Sequence, residues 1–347
     1  MHGRPRVYVR FRPSADVKLP ALKGPGIPAA QDAGPEPAKP GIALEPEHTI
    51  KFPWKSQRDK EEWKEVKVQV DHAFAEDATQ DAVYSRVGPE MLDFVLRGFR
   101  GLICTYGITG SGKTHTMLGS GAEHGLAQRT IEELFLRGLP DLTVRMQAIQ
   151  LHRSDFTDLG VPDAPSIKVQ SGNYSDVTGA QEHEFKSAEP ALQWLSEVLL
   201  RRKGSKTGSN AKSSRSHFLL RLKIQFTSGG ASNSAVLDLA DLAGCEKLDE
   251  KLDTEARRDH ITIQAGLSNL RHCIEAKVKN KAVPFTYFSL PRLLAPDFNG
   301  DAGISFVINC PSRDDVDRIP ETSETLDLAR FILRLELACK AQKTTVQ

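Results

Sequence analysis

The octet Gly107-Ile108-Thr109-Gly110-Ser111-Gly112-Lys113-Thr114 restricts this chain more than any other feature, because it satisfies GxxxxGK[ST]. Its context is the one the motif needs: the apolar run Gly101-Leu-Ile-Cys-Thr-Tyr106 precedes it and helix-forming residues follow. Strand, glycine loop and helix in that order point to an α/β fold, with a mostly parallel central sheet, helices on both faces and the loop at a strand end. In such a loop the glycines let successive backbone N–H groups converge on phosphates. Lys113 can reach the β and γ oxygens, and the Thr114 hydroxyl can ligate Mg²⁺. A chance glycine turn would lack both flanks.

Composition adds exclusions. In 347 residues, 46 Lys plus Arg face 45 Asp plus Glu, so no global field recruits nucleic acid, and a polyanionic partner would need a local patch. Five cysteines without a CxxC read as reduced thiols in an intracellular protein. The basic start passes straight into a strand pattern without an apolar h-region, and no run of about 18 apolar residues occurs, so neither secretion nor membrane insertion is expected.

Along the chain, 6–11 alternate like a strand. Nine of the 20 prolines then fall between Pro13 and Pro53, and residues 14–47 read as a flexible insertion. Alternation returns over 66–74 as one strand, followed by a helix over 78–97. Helices are expected near 126–138, 189–202 and 254–278, with strands near 143–151, 218–227, 235–240 and 304–310. A last helix is expected over 323–338.

Two downstream segments supply the other half of a hydrolytic site. Asn210 to His217 gathers Ser213, Ser214, Arg215, Ser216 and an imidazole before a strand, chemistry suited to sensing a γ-phosphate and its metal, although a serine-rich turn can also be only a loop. The run Val236 to Glu246 is an apolar strand ending in Asp241 and then Gly244. That is a carboxylate for a Mg²⁺ shell and an N–H for the phosphate, with a helix cap as the plainer alternative for Asp241.

Together with Val9-Arg10-Phe11-Arg12-Pro13, these segments resemble the kinesin motor domain in order and spacing, across nearly all of 1–347. The resemblance implies ATP and Mg²⁺ as ligands, ATP hydrolysis, microtubules as partner and a place in the cytoplasm on the cytoskeleton. It implies that Arg10 and Pro13 flank the adenine and His115 stacks on it. The loop residues Gly107, Thr109, Gly110, Ser111, Gly112 and Lys113 would hold the phosphates, while Thr114, Ser214 and Asp241 hold the metal. Ser213 and Ser214 would belong to switch I, which Arg202 supports, and Asp241 and Gly244 to switch II. Arg215 would pair with Glu246 when the switches close. Residues 78–84 and the last helix resemble the kinesin-9 group of cilia and flagella, which extends the expected partners to axonemal subunits.

The departures lie mostly outside the nucleotide motifs. Where the family has I-N-x-S-L, this chain has Ile263-Gln264-Ala265-Gly266-Leu267, and a mid-helix glycine predicts a loosened or bent helix. Where the family has P-[YF]-R-x-S-K-L-T, residues 284–291 lack both basic residues and place Pro291 where the helix should run on. Around 247–259, five acids face four bases. The track-binding face therefore reads as eroded, and a non-motile component of a microtubule assembly such as an axoneme stands as the alternative to a motor.

Overall fold

The computed structural model describes residues 2–13, 41–54, 64–169, 179–204, 215–246, 253–279, 281, 283, 285, 288–298, 302–335 and 337–338. Its strands are β1 (His2–Gly3), β2 (Arg6–Phe11), β3 (Ala43–Glu45), β4 (Thr49–Trp54), β5 (Lys64–Gln69), β6 (His72–Phe74), β7 (Arg100–Tyr106) and β8 (Thr143–His152). They continue with β9 (Asp155–Asp158), β10 (Ser166–Ile167), β11 (His183–Phe185), β12 (His217–Ser228), β13 (Ala231–Asp241), β14 (Ala302–Cys310) and β15 (Leu337–Ala338). The helices are α1 (Gln80–Val95), α2 (Lys113–Leu118), α3 (Leu126–Leu136), α4 (Ala188–Gly204), α5 (Thr254–Val278), α6 (Ser289–Phe298) and α7 (Ile319–Ile332).

The central sheet runs β10-β9-β8-β12-β13-β7-β14-β2-β6, with β11 also paired to β8. It is mixed. From β13 through β6 every pairing is parallel, whereas β12 is antiparallel to both β13 and β8. The parallel strands are apolar on both faces, as β7 and β14 show, because helices cover them above and below. One face packs α1 to α4 through Val83, Val87, Ile131, Leu134, Leu195 and their neighbours. The other packs α5 to α7 through Ile263, Leu270, Leu294, Leu326 and theirs.

Several expectations are corrected. Residues 66–74 are two strands in two sheets: β5 belongs to a small antiparallel sheet β3-β4-β5, and β6 forms the edge of the central one. The break falls at Val70–Asp71, where the Asp71 carboxylate accepts from the Val7 N–H at 2.8 Å and from Arg4 and Arg6, pulling the chain across to β2. Of the expected insertion, 14–40 lie outside the described residues, while 43–48 form β3 and a 3-10 turn. The last helix starts earlier, because Pro320 suits a first helical turn after the N-cap position Arg318, and it ends at Ile332. Helix α5 runs unbroken through Gly266. Pro291 sits in the first turn of α6, where a missing N–H costs nothing, so the helix runs on to Phe298.

Candidate nucleotide site

The phosphate loop leaves β7 and enters α2. Gly107 (φ 151°) must be glycine on two counts, its positive φ and the 2.1 Å that would separate a Cβ from the Asn309 carbonyl on β14. Gly112 (φ 96°) is the cap residue of α2. Lys113 is buried, and that burial lowers its pKa; its Nζ donates to the Ile108 carbonyl at 2.8 Å, which holds the ammonium across the mouth of the loop.

Next to β7 in parallel register, β13 ends at Asp241, opposite Thr105. The Thr114 hydroxyl donates to Asp241 Oδ2 at 2.8 Å, and Arg202 pairs with the same oxygen at 2.8 Å while its guanidinium stacks over Phe218. Thr105 Oγ1 lies 3.2 Å from Oδ1. Asp241 is thus a strand-tip carboxylate and not a helix cap. It and Thr114 are hard oxygen donors side by side, the chemistry that suits Mg²⁺, which takes one or two protein oxygens and completes its shell with phosphate and water.

Beyond Asp241 the chain is held from two sides. The Ala243 N–H donates to His217 Nδ1 at 3.1 Å, and Gln264 Nε2 on α5 donates to the Gly244 carbonyl at 3.1 Å. Gln264, standing where the family has Asn, therefore ties α5 to this turn. Burial pushes the His217 imidazole down to about 3, so the ring is neutral, and Nδ1 can accept. Glu246 folds back over Gly244 and takes two donors of the phosphate loop, the Thr109 N–H at 2.7 Å and its hydroxyl at 2.6 Å. A Cβ on Gly244 would stand 2.2 Å from both the Glu246 carboxylate and the Thr109 hydroxyl. Burial opposes ionisation of Glu246, but the two Thr109 bonds outweigh it and hold its pKa below the usual carboxylate range. The Arg215–Glu246 pair expected on closure is not made here. Arg215 stands half-buried just before β12, and Ser213 and Ser214 lie outside the described residues.

Arg10, Pro13, Ser111, Gly112 and His115 line one cavity of about 560 Å³ beside the loop. The Arg10 guanidinium forms its wall through Gln80 Oε1 at 2.7 Å, Thr116 Oγ1 at 2.9 Å and the Ala78 carbonyl at 3.1 Å. His115 Nε2 lies 3.1 Å from Glu123 at the rim. Sequence reasoning missed Gln80, Asn309 and Arg318. Asn309 Nδ2 donates to Thr116 Oγ1 at 2.7 Å and Arg318 reaches the Thr109 carbonyl at 3.2 Å, from 193 and 209 residues away. No local pattern marks contacts of that span.

A glycine loop on one parallel strand and a carboxylate at the tip of its neighbour define the chain as a P-loop nucleotide-binding domain. The family model for the kinesin motor domain matches residues 39–334, and the chain belongs to that family. The kinesin-like protein KIF18B of Gallus gallus is 32% identical over 278 residues, covering 76% of this chain and 34% of that protein. The kinesin-like protein KIN-1 of Oryza sativa subsp. japonica is 29% identical over 308 residues, covering 82% of this chain and 62% of its own length. The chain thus spans about a third of the first relative and three fifths of the second. Among solved structures, a fast kinesin superposes with a TM-score of 0.78 at 23% identity, over 98% of this chain and 94% of its own. A KIF14 dimer with AMP-PNP, in complex with a microtubule, gives 0.81 at 21%, over 99% and 97%. These two likenesses show the fold.

Proposed function

We propose that this chain binds ATP with Mg²⁺, hydrolyses it, and uses the cycle to grip and release microtubules. The observation that carries the reading is the Asp241 carboxylate on the Thr114 hydroxyl, directly behind the phosphate loop. Thr114, Asp241 and, from the motif, Ser214 would hold the metal, which would neutralise phosphate charge. The loop N–H groups and Lys113 would bind the phosphates, and the cavity of Arg10, Pro13 and His115 would take the base. Glu246 and Arg215 would report the γ-phosphate by pairing and parting.

The family supports a cytoskeletal setting and, as the partner proposed here, the microtubule. A place in a cilium or flagellum, beside axonemal subunits, rests on the resemblance of 78–84 to the kinesin-9 group and is part of the proposal.

The test is ATP turnover with and without microtubules. Stimulation of roughly tenfold or more is expected, with Lys113→Ala reducing it at least ~100-fold. Turnover that ignores Lys113→Ala would overturn the assignment of the loop. A flat low rate with tight co-sedimentation would point instead to a non-motile structural component.

A further inference from the structure

The phosphate loop is gripped by two guanidinium groups that neither β7 nor α2 supplies. Arg318 NH2 donates to the Thr109 carbonyl at 3.2 Å, and Arg12 NH1 to the Gly110 carbonyl at 2.5 Å. In a trans peptide the carbonyl and the following N–H point in opposite directions. Fastening the Thr109 carbonyl on Arg318 therefore also fixes the direction of the Gly110 N–H, one of the backbone donors that a loop of this kind offers to phosphate. Thr109 is held at both of its peptides, because Glu246 has its N–H while Arg318 has its carbonyl.

Arg318 is also the cap residue of α7, and its Nε is steered by Glu321 at 3.2 Å, within the first turn of that helix. The link therefore joins the loop to a helix packed on β14, the strand that backs Gly107. The Arg318 side chain is 34% exposed, so its ion pair with Glu321 adds little to folding stability. Its geometric effect on the loop does not depend on that contribution.

We propose that Arg318 is a positioning residue for nucleotide binding: it fixes the Thr109–Gly110 peptide relative to the first turn of α7, so that affinity for the triphosphate depends on a group outside the loop. The proposal rests on the ATP reading above.

The whole chain is compared as wild type, Arg318→Ala, Arg318→Lys and Lys113→Ala, by titration with a fluorescent ATP analogue, by steady-state turnover with microtubules and by thermal unfolding. Arg318→Ala should weaken analogue binding and raise KM for ATP roughly tenfold, the scale of one lost charge-assisted hydrogen bond. The change should fall on KM more than on kcat, with little movement of the melting midpoint. Arg318→Lys should recover most of the affinity.

Unchanged affinity in Arg318→Ala, with binding lost in Lys113→Ala, would overturn the positioning role and leave the ATP reading intact. An affinity loss that tracks a large fall in melting midpoint and is not rescued by lysine would reduce Arg318 to a structural residue and also overturn it. Absence of analogue binding in the wild type would overturn both.

Discussion

Glu246 bonds two donors of Thr109 at once, and that hold must open before its carboxylate can meet Arg215. Glu246→Ala should therefore leave ATP-analogue binding nearly intact while turnover falls at least ~100-fold, the scale of removing a group positioned for the transition state. Loss of binding instead would place Glu246 in the binding wall. His217 carries a second prediction. Its folded-state pKa of about 3 lies below the ordinary ~6.5, so the stability linked to its neutral form is full above pH 6.5 and is lost as pH falls toward 3. Between pH 6.5 and 5, the wild type should lose roughly 1–2 kcal/mol more than His217→Asn in urea unfolding. Equal slopes would mean that the imidazole is reached by protons without unfolding. At this scale Lys113, Thr114 and Asp241 were legible because each motif packs its chemistry into a few adjacent residues. Gln80, Asn309 and Arg318 were not, because each contributes through a contact with a distant segment.

Elements were legible wherever one periodicity met one environment. Helix α5 runs over 254–278 as its apolar spacing predicts, because a single face is buried, against α6 and α7. The 66–74 stretch was misread because alternation is the same whichever sheet a strand joins, and only Asp71 on the Val7 N–H decides the break. Gly266 was read as a weak point of α5. It lies instead where a Cβ would meet Leu290 Cβ at an ordinary 3.6 Å, so Gly266→Ala should stabilise the chain by about 1 kcal/mol in denaturant unfolding. A second set of contacts had no sequence signal at all. Arg221 on β12 and Arg100 on β7 converge on Asp238 of β13, and Arg100 continues to Asp297 on α6 at 2.7 Å, all buried. Burial raises Asp297, whereas the charges of Arg221 and Arg100 overcome burial and hold Asp238 below the usual carboxylate range. Asp238→Ala would remove the buried carboxylate that Arg221 and Arg100 share, leaving Arg100 only Asp297, and should cost about 3–5 kcal/mol. Asp297→Asn should cost less, since Arg100 keeps Asp238. Calorimetry that ranks the two variants the other way would contradict this wiring.

For the molecule as a whole, net charge is +1, so attraction to an acidic filament has to come from one face. The linear count around 247–259 sets five acids against four bases, yet the fold buries one of the acids. Asp253 caps α5 through the Ala256 N–H, and Asp259 is buried, paired with Arg153 beyond the end of β8 and approached by His152 at 3.4 Å. Within 253–259 the charges left facing solvent are Asp253, Glu255, Arg257 and Arg258, and Glu255 itself lies 3.6 Å from Arg153. The start of α5 is therefore less acidic toward solvent than the sequence suggests, although the segment before α6 brings none of the family's basic residues. On the proposed microtubule grip, two exposed arginines at the start of α5 give an affinity that salt weakens steeply, since the Debye length shrinks to about 10 Å at 0.1 M. Co-sedimentation should weaken several-fold between low and physiological salt, and Arg257→Glu with Arg258→Glu should remove most of what remains. Tight binding that persists in high salt and ignores both substitutions would show that the filament is held by another surface, and that the charge at the start of α5 plays no part in it.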